Sequence, residues 1–273
     1  MGTDENAGKF SASTVGLIFT VFAAFASFFS FSSCGLDNYY YLDPPRSDGH
    51  QIQYGDSDES KHYFSCITTE ESGSGTNSDY FSSSSDFVFL GTGIYYKVYN
   101  NYSTMQSVES SVNSMISSSD NTYTSASEYL IYTKGYKELK ISRGVRDPLI
   151  GRGSSPEDRY VNIRLTDYGD FPAGIWISSD GNDVMNDSNA LKVDGISVRP
   201  MRSGSTYGFE FSATDSNNPV PKSGDDDVEI SATASVEGEW YVDMYAVSVG
   251  RDSSYTESYS QPFFMGSVAI RAE

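Results

Sequence analysis

Histidine and cysteine are scarce in this chain, occurring twice each among 273 residues. With only His50 and His62, a metal site built on imidazoles is all but excluded, and no C-x-x-C, H-E-x-x-H or Walker-type glycine-rich loop is present. Cys34 and Cys66 are too few for a disulfide framework, and a chain of this length folds without one. Positive charge is also short: 18 Lys and Arg stand against 37 Asp and Glu, a formal net charge of −19. Such a balance repels phosphate backbones and anionic head groups, which excludes nucleic acid and electrostatic membrane docking and favours solubility.

What is plentiful is tyrosine, with 21 copies, together with 24 glycines and frequent serine. Aromatic and β-branched residues set between small polar ones favour strands and turns. Alternating runs predict strands over Asn38–Leu42, His62–Thr68, Phe87–Tyr99, Glu138–Arg143, Tyr160–Thr166, Ala173–Ser178, Gly195–Arg199, Tyr207–Ser212, Val228–Ala234, Trp240–Val249 and Phe263–Arg271. Their number and spacing suit an all-β sandwich with large loop insertions. One stretch breaks the pattern. Met105, Val108, Val112, Met115 and Ile116 recur at steps of three and four, predicting an inserted helix near residues 103–118. Two low-complexity loops, 70–85 and 215–227, are rich in turn formers and charge.

The strongest local signal lies near the N-terminus. Val15 to Phe31 is an uncharged apolar run, followed by Ser32, Ser33, Cys34 and Gly35, with no Lys or Arg before Arg46. A stop-transfer helix is normally followed by basic residues, so the run reads as an export signal. The sequence Phe31-Ser32-Ser33-Cys34 resembles a bacterial lipobox, in which an apolar residue and two small ones precede the Cys that receives diacylglycerol. The pattern usually has Leu where Phe31 stands, and Asp4 and Glu5 make the preceding segment acidic, where export signals begin basic. An uncleaved anchor helix and a Cys34–Cys66 disulfide remain the alternatives. The lipobox reading divides the chain into a signal peptide (1–33), a lipidated Cys and short tether (34–41) and a β-sandwich domain (42–273), in which residues 167–236 form either an insertion or a second subdomain. Seven residues separate Cys34 from Leu42 and span at most about 25 Å, so the domain is held close to its membrane.

The segments 91–99 (GTGIYYKVY), 240–250 (WYVDMYAVSVG) and 261–270 (QPFFMGSVAI) resemble the C strand and the F–G hairpin of an immunoglobulin or fibronectin type III-like sandwich. With the tether, Leu42-Asp43-Pro44-Pro45 and the tyrosine-rich strand, the chain also resembles conserved spirochaete-type lipoproteins. That resemblance implies surface or periplasmic display and carries over no defined activity; Gly35 and Leu36 after the Cys, neither of them the Asp of inner-membrane retention, lean toward the outer membrane. The expected cofactor set is empty apart from the covalent acyl groups on Cys34.

Candidate binding residues are sparse. Lys134, Lys137, Lys140, Arg143 and Arg146 form a basic run that either recognises an anionic partner or neutralises neighbouring acidic loops. Asp180, Asn182, Asp183 and Asp187 form an acidic turn that begins like a calcium loop but lacks its closing Glu; a looser Ca2+ site and a simple turn between strands are the two readings. No pair among the acids is singled out for glycoside hydrolysis, so no catalytic residue is assigned and the chain is not expected to be an enzyme. Three functions remain: a surface or periplasmic binding and adhesion module with a protein or glycan ligand, a structural envelope-assembly lipoprotein, and a carbohydrate-active enzyme using paired carboxylates beside Tyr95, Trp176 or Trp240.

Overall fold

Two long neighbouring strands organise the molecule in a computed structural model that describes residues 40–52, 55, 57–71, 77–82, 86–117, 124–204 and 206–273. The chain contributes β1 (Phe64–Ile67), β2 (Phe87–Tyr99), helix α1 (Tyr102–Ser117), the short α2 (Ser125–Glu128), β3 (Lys137–Glu138), β4 (Lys140–Ile141), β5 (Ile150–Gly151), β6 (Tyr160–Arg164) and β7 (Gly174–Ser178). There follow β8 (Lys192–Val193), β9 (Ile196–Ser197), β10 (Pro200–Met201), β11 (Val228–Glu229), β12 (Glu239–Asp252), β13 (Glu257–Tyr259) and β14 (Phe263–Arg271). A π-helical turn, Tyr129–Thr133, continues α2.

β2 and β12 run antiparallel along almost their whole lengths. β14 and then β13 pair with the other edge of β12, while β5, β3 and β11 share the far edge of β2. The three segments resembling strands C, F and G therefore lie side by side as β2, β12 and β14. A second antiparallel sheet has the order β1-β6-β7. Residues at alternate positions of the large sheet, among them Ile94, Tyr96, Val98, Trp240, Val242 and Met244, pack with Phe64, Cys66, Val161, Ile163 and Ile175 of the smaller one. The molecule is thus mainly β, a sandwich with an inserted helix.

The opposite face of the large sheet is covered as well. Tyr95, Tyr99, Tyr241 and Tyr245 pack beneath Met105, Val108 and Val112 of α1 and Leu130 of the π-helical turn. Helix α1 begins where Asn101 Oδ1 accepts the Thr104 N–H at 3.0 Å, an N-cap that satisfies one of the helix's unpaired donors. Burying both faces of β2 and β12 explains why these strands read as nearly continuous apolar and aromatic runs.

Five expected strands change. Glu138–Arg143 divides into β3, which pairs with β2, and β4, which pairs with β10, and Gly195–Arg199 keeps only Ile196–Ser197 as β9. Tyr207–Ser212 is not a strand, although Phe209 and Phe211 are buried: the Ser212 N–H goes to Asn218 O and the Phe211 carbonyl accepts from Glu273 N, so loop and terminal segments replace a ladder. Val228–Ala234 keeps only its first two residues as β11, because Asn100 takes over the hydrogen bonds at Ser231. In Asn38–Leu42 the described residues 40–42 are not strand, and Leu42 packs against Phe87 and Phe89. Within residues 167–236, Ile175, Leu191, Val198, Phe209 and Phe211 all enter the main core. Residues 40–273 form one unit. No helix among the described residues is long and apolar enough to cross a membrane.

Candidate functional site

The lipobox residues Phe31, Ser32, Ser33 and Cys34, with the signal segment around them, lie outside the described residues. Cys66 lies within them, as a free thiol with no exposed surface in the core between β1 and β6. Burial pushes this thiol well above the ordinary range and disfavours the thiolate needed for exchange or nucleophilic chemistry.

The basic run is divided among several elements. Lys134 sits over the Tyr129 ring, Lys137 lies in β3 on the edge of the large sheet, and Lys140 belongs to β4, where it is ion-paired with Glu138. Arg143 and Arg146 lie in the loop that follows, free of ion pairs among the described residues. Farther along, Arg152 donates to Phe81 O at 2.8 Å and Arg159 is ion-paired with the buried Glu70. Much of this charge is thus engaged by local partners.

The acidic turn is closed on itself. Asp180 Oδ1 accepts from both the backbone and the side-chain amide of Asn182, at 3.0 and 2.7 Å, and Asp183 Oδ2 accepts from Asn186. Asp187 faces Lys192 at 3.6 Å. Among the described residues no three His, Cys, Asp or Glu side chains converge as a metal-binding group.

A cleft that the sequence did not single out is lined from the end of β14, the segment that follows β6 and the loop residues 206–218. Its larger part, about 590 Å³, is lined by Glu59, Thr166, Asp167, Tyr168, Glu210, Phe211, Ser212, Ile270, Arg271 and Glu273. A smaller part, about 230 Å³, shares Glu210 and adds Arg199, Met201, Phe209 and Asn218. Arg199 contacts both acids of the wall, Asp167 Oδ1 at 3.1 Å and Glu210. Asp167 Oδ1 also accepts the Ala173 N–H, which fixes the carboxylate beside the mouth. The floor comes from Phe211 and Ile270, while the rim is charged: four carboxylates and two guanidiniums line the combined cleft. Its volume lies in the usual range for ligand sites of roughly 300–1,000 Å³.

Two further polar clusters occupy the helix-covered face of the large sheet. Asp243, fully buried on β12, accepts from the Tyr136 hydroxyl at 2.5 Å, and Tyr136 in turn accepts from Tyr99 at 3.1 Å. Asp243 Oδ1 and the Tyr245 hydroxyl have no hydrogen-bond partner among the described residues. Burial raises the Asp243 carboxyl well above the usual range, and this outweighs the Tyr136 hydrogen bond. Beyond the π-helical turn, Tyr95 lies over Gly93, where a Cβ would meet its ring at 2.9 Å, and it pairs directly across the ladder with Glu138. Burial also raises Glu138, against the pull of Lys140, and Asp147 and Glu257 add their charge nearby. Tyr259 donates to Glu257 at 2.6 Å. Glu138 and Glu257 are therefore acids beside Tyr95, whereas neither part of the cleft is lined by Tyr95, Trp176 or Trp240.

The sequence carried a signal for Asp243, a lone carboxylate between Tyr241 and Tyr245 on one strand face. It carried none for the cleft, whose lining comes from separate parts of the chain. A comparison with protein families, with curated proteins and with solved structures finds no match for this chain.

Proposed function

We propose that this chain is a bacterial envelope lipoprotein, held on the outer membrane through an acylated Cys34, whose sandwich acts as a surface or periplasmic binding and adhesion module. The observation that carries this reading is the burial of Cys66. With its sulfur sealed in the core, Cys66 is a poor disulfide partner for Cys34, and the lipobox chemistry becomes the best account of a cysteine placed directly after an apolar run. The burial of Leu42 against Phe87 and Phe89 supports a short tether, since the folded domain then begins only a few residues after Cys34. The cleft beside Arg199 and Glu210 is the natural place for a ligand, in size and in its mix of an apolar floor and a polar rim. The neighbouring order of β2, β12 and β14 favours the fibronectin type III-like form of the sandwich.

Metabolic labelling with an alkyne fatty acid tests the anchor. Label on the wild-type chain and its loss in Cys34→Ala is the expected result; label that persists in Cys34→Ala, or that never appears, removes the proposal.

A second reading, a carbohydrate-active enzyme, draws on Glu138 and Glu257 beside Tyr95, with Glu138 held protonated more strongly than an exposed acid. Hydrolysis of aryl glycosides that is lost in Glu138→Gln would favour it over the binding module.

A further inference from the structure

The charges around the larger cleft are not equally committed. Arg199 is shared between Asp167 and Glu210, which leaves those three groups mutually neutralised to within a single negative charge. Arg271, at the end of β14, Glu59, on a short 3-10 turn, and Glu273 also line the cleft, and none of the three has an ion-pair partner among the described residues. All three are exposed, so their charges are offered to solvent. The Glu59 carboxylate lies close to Gly169, where a Cβ would be 3.4 Å from Oε2.

Tyr168 belongs to the same lining, and its hydroxyl is shielded from solvent yet has no hydrogen-bond partner among the described residues. Its ring is fixed edge-on to His62 at 4.6 Å, and its backbone is tied to Phe171 in both directions, at 2.9 and 2.8 Å. A shielded hydroxyl without a partner costs stability unless something arrives to meet it. Thr166 and Ser212 add hydroxyls to the same lining.

One free cation, two free carboxylates and an unmet hydroxyl in one cleft of about 590 Å³ match a ligand bearing opposite charges at its two ends and an amide between them. We infer that the larger cleft binds short peptides with a free ammonium and a free carboxylate, the ammonium meeting Glu59, the carboxylate meeting Arg271 and the Tyr168 hydroxyl bonding to the peptide backbone. The net negative lining adds a preference for a basic side chain. The inference rests on the binding-module reading and names its ligand class.

Titration calorimetry on the full chain in detergent tests it with the tripeptide Lys-Ala-Ala and its N-acetylated and C-amidated forms. Saturable binding of the free tripeptide is expected, with each blocked form about tenfold weaker, the size expected when one charge-assisted hydrogen bond is lost. In Arg271→Gln the amidated and free forms should bind alike, and in Glu59→Gln the acetylated and free forms should; both residues are exposed, so folding is preserved and circular dichroism verifies it. Indifference to both blocked ends, or discrimination that survives both substitutions, overturns the inference. Saturable binding of a glycan or protein ligand by a chain that ignores Lys-Ala-Ala also overturns it, while leaving the binding-module reading intact.

Discussion

The Tyr136 hydroxyl donates a 2.5 Å hydrogen bond to Oδ2 of Asp243, joining the segment after the π-helical turn to the central strand of the sheet in a site with no solvent contact. A carboxyl in such surroundings keeps its proton far more readily than one in water. Glu109 on α1 disfavours its ionisation and Lys97 on β2 favours it, but burial dominates both.

Stability should therefore fall as pH rises. Below the ordinary carboxylate value of about 3.9, folded and unfolded chains both hold the Asp243 proton and the contribution is fully present. Above it the unfolded chain sheds a proton that the folded one retains, at a cost of up to about 1.4 kcal/mol per pH unit, until the folded carboxyl itself ionises. Asp243→Asn keeps the shape and removes the titration. Urea midpoints of the variant and the wild type should nearly coincide at pH 4, and the variant should be the more stable at pH 8. A gap that is constant with pH would contradict this.

Arg202 offers a contrasting buried charge. It donates to Asp227 at 2.8 and 2.6 Å and to Asp225 at 2.9 Å, while Asp227 also accepts from Tyr96 at 2.6 Å. Burial works against the guanidinium charge, yet the hydrogen bonds and charges of Asp227 and Asp225 outweigh it. Arg202→Ala strands Asp227 in the interior and should cost about 3–5 kcal/mol. The double variant Arg202→Met, Asp227→Leu should recover much of that in thermal unfolding; no recovery would show that the pair is more than a compensated burial.

At Gly91 the β2–β12 register slips, so that Val249 faces Gly91 while Gly250 faces Phe89, leaving Leu90 bulged. Gly91 has φ of 140° and a Cβ there would meet Ile150 O at 2.2 Å. Gly91→Ala should lower the melting temperature by several degrees, because both the backbone conformation and the pairing with β5 oppose it. An unchanged melting temperature would refute the close approach.

How much was legible in the sequence depended on where each segment's hydrogen bonds go. β2 and β14 have the bounds that alternation assigns them, since both are long ladders against β12. Helix α1 appears where the three-and-four spacing puts it, with Met105, Val108 and Val112 inward. Residues 207–212 misled because Phe209 and Phe211 alternate and are buried without being in a ladder, a distinction that side-chain pattern does not encode. The cleft was illegible for a different reason. Glu59, Tyr168, Glu210 and Arg271 lie scattered along the chain and meet in one lining only in the fold, where Phe211 and Ala213 bond to Glu273 just past β14.

Thiol reactivity should follow the burial of Cys66. In the membrane-extracted protein the proposed acylation of Cys34 and the burial of Cys66 together predict that a maleimide reagent finds no accessible thiol while the domain is folded and one thiol after denaturation. Rapid labelling of the folded protein would contradict one of those two placements, and peptide mapping identifies which.

The most direct test of the whole account is the intact mass of the membrane-extracted chain. The expected species is a chain that begins at Cys34 and carries the added mass of diacylglycerol and any further acyl chain. An unmodified chain that retains residues 1–33, or one lighter by two hydrogens through a Cys34–Cys66 bridge, would contradict it.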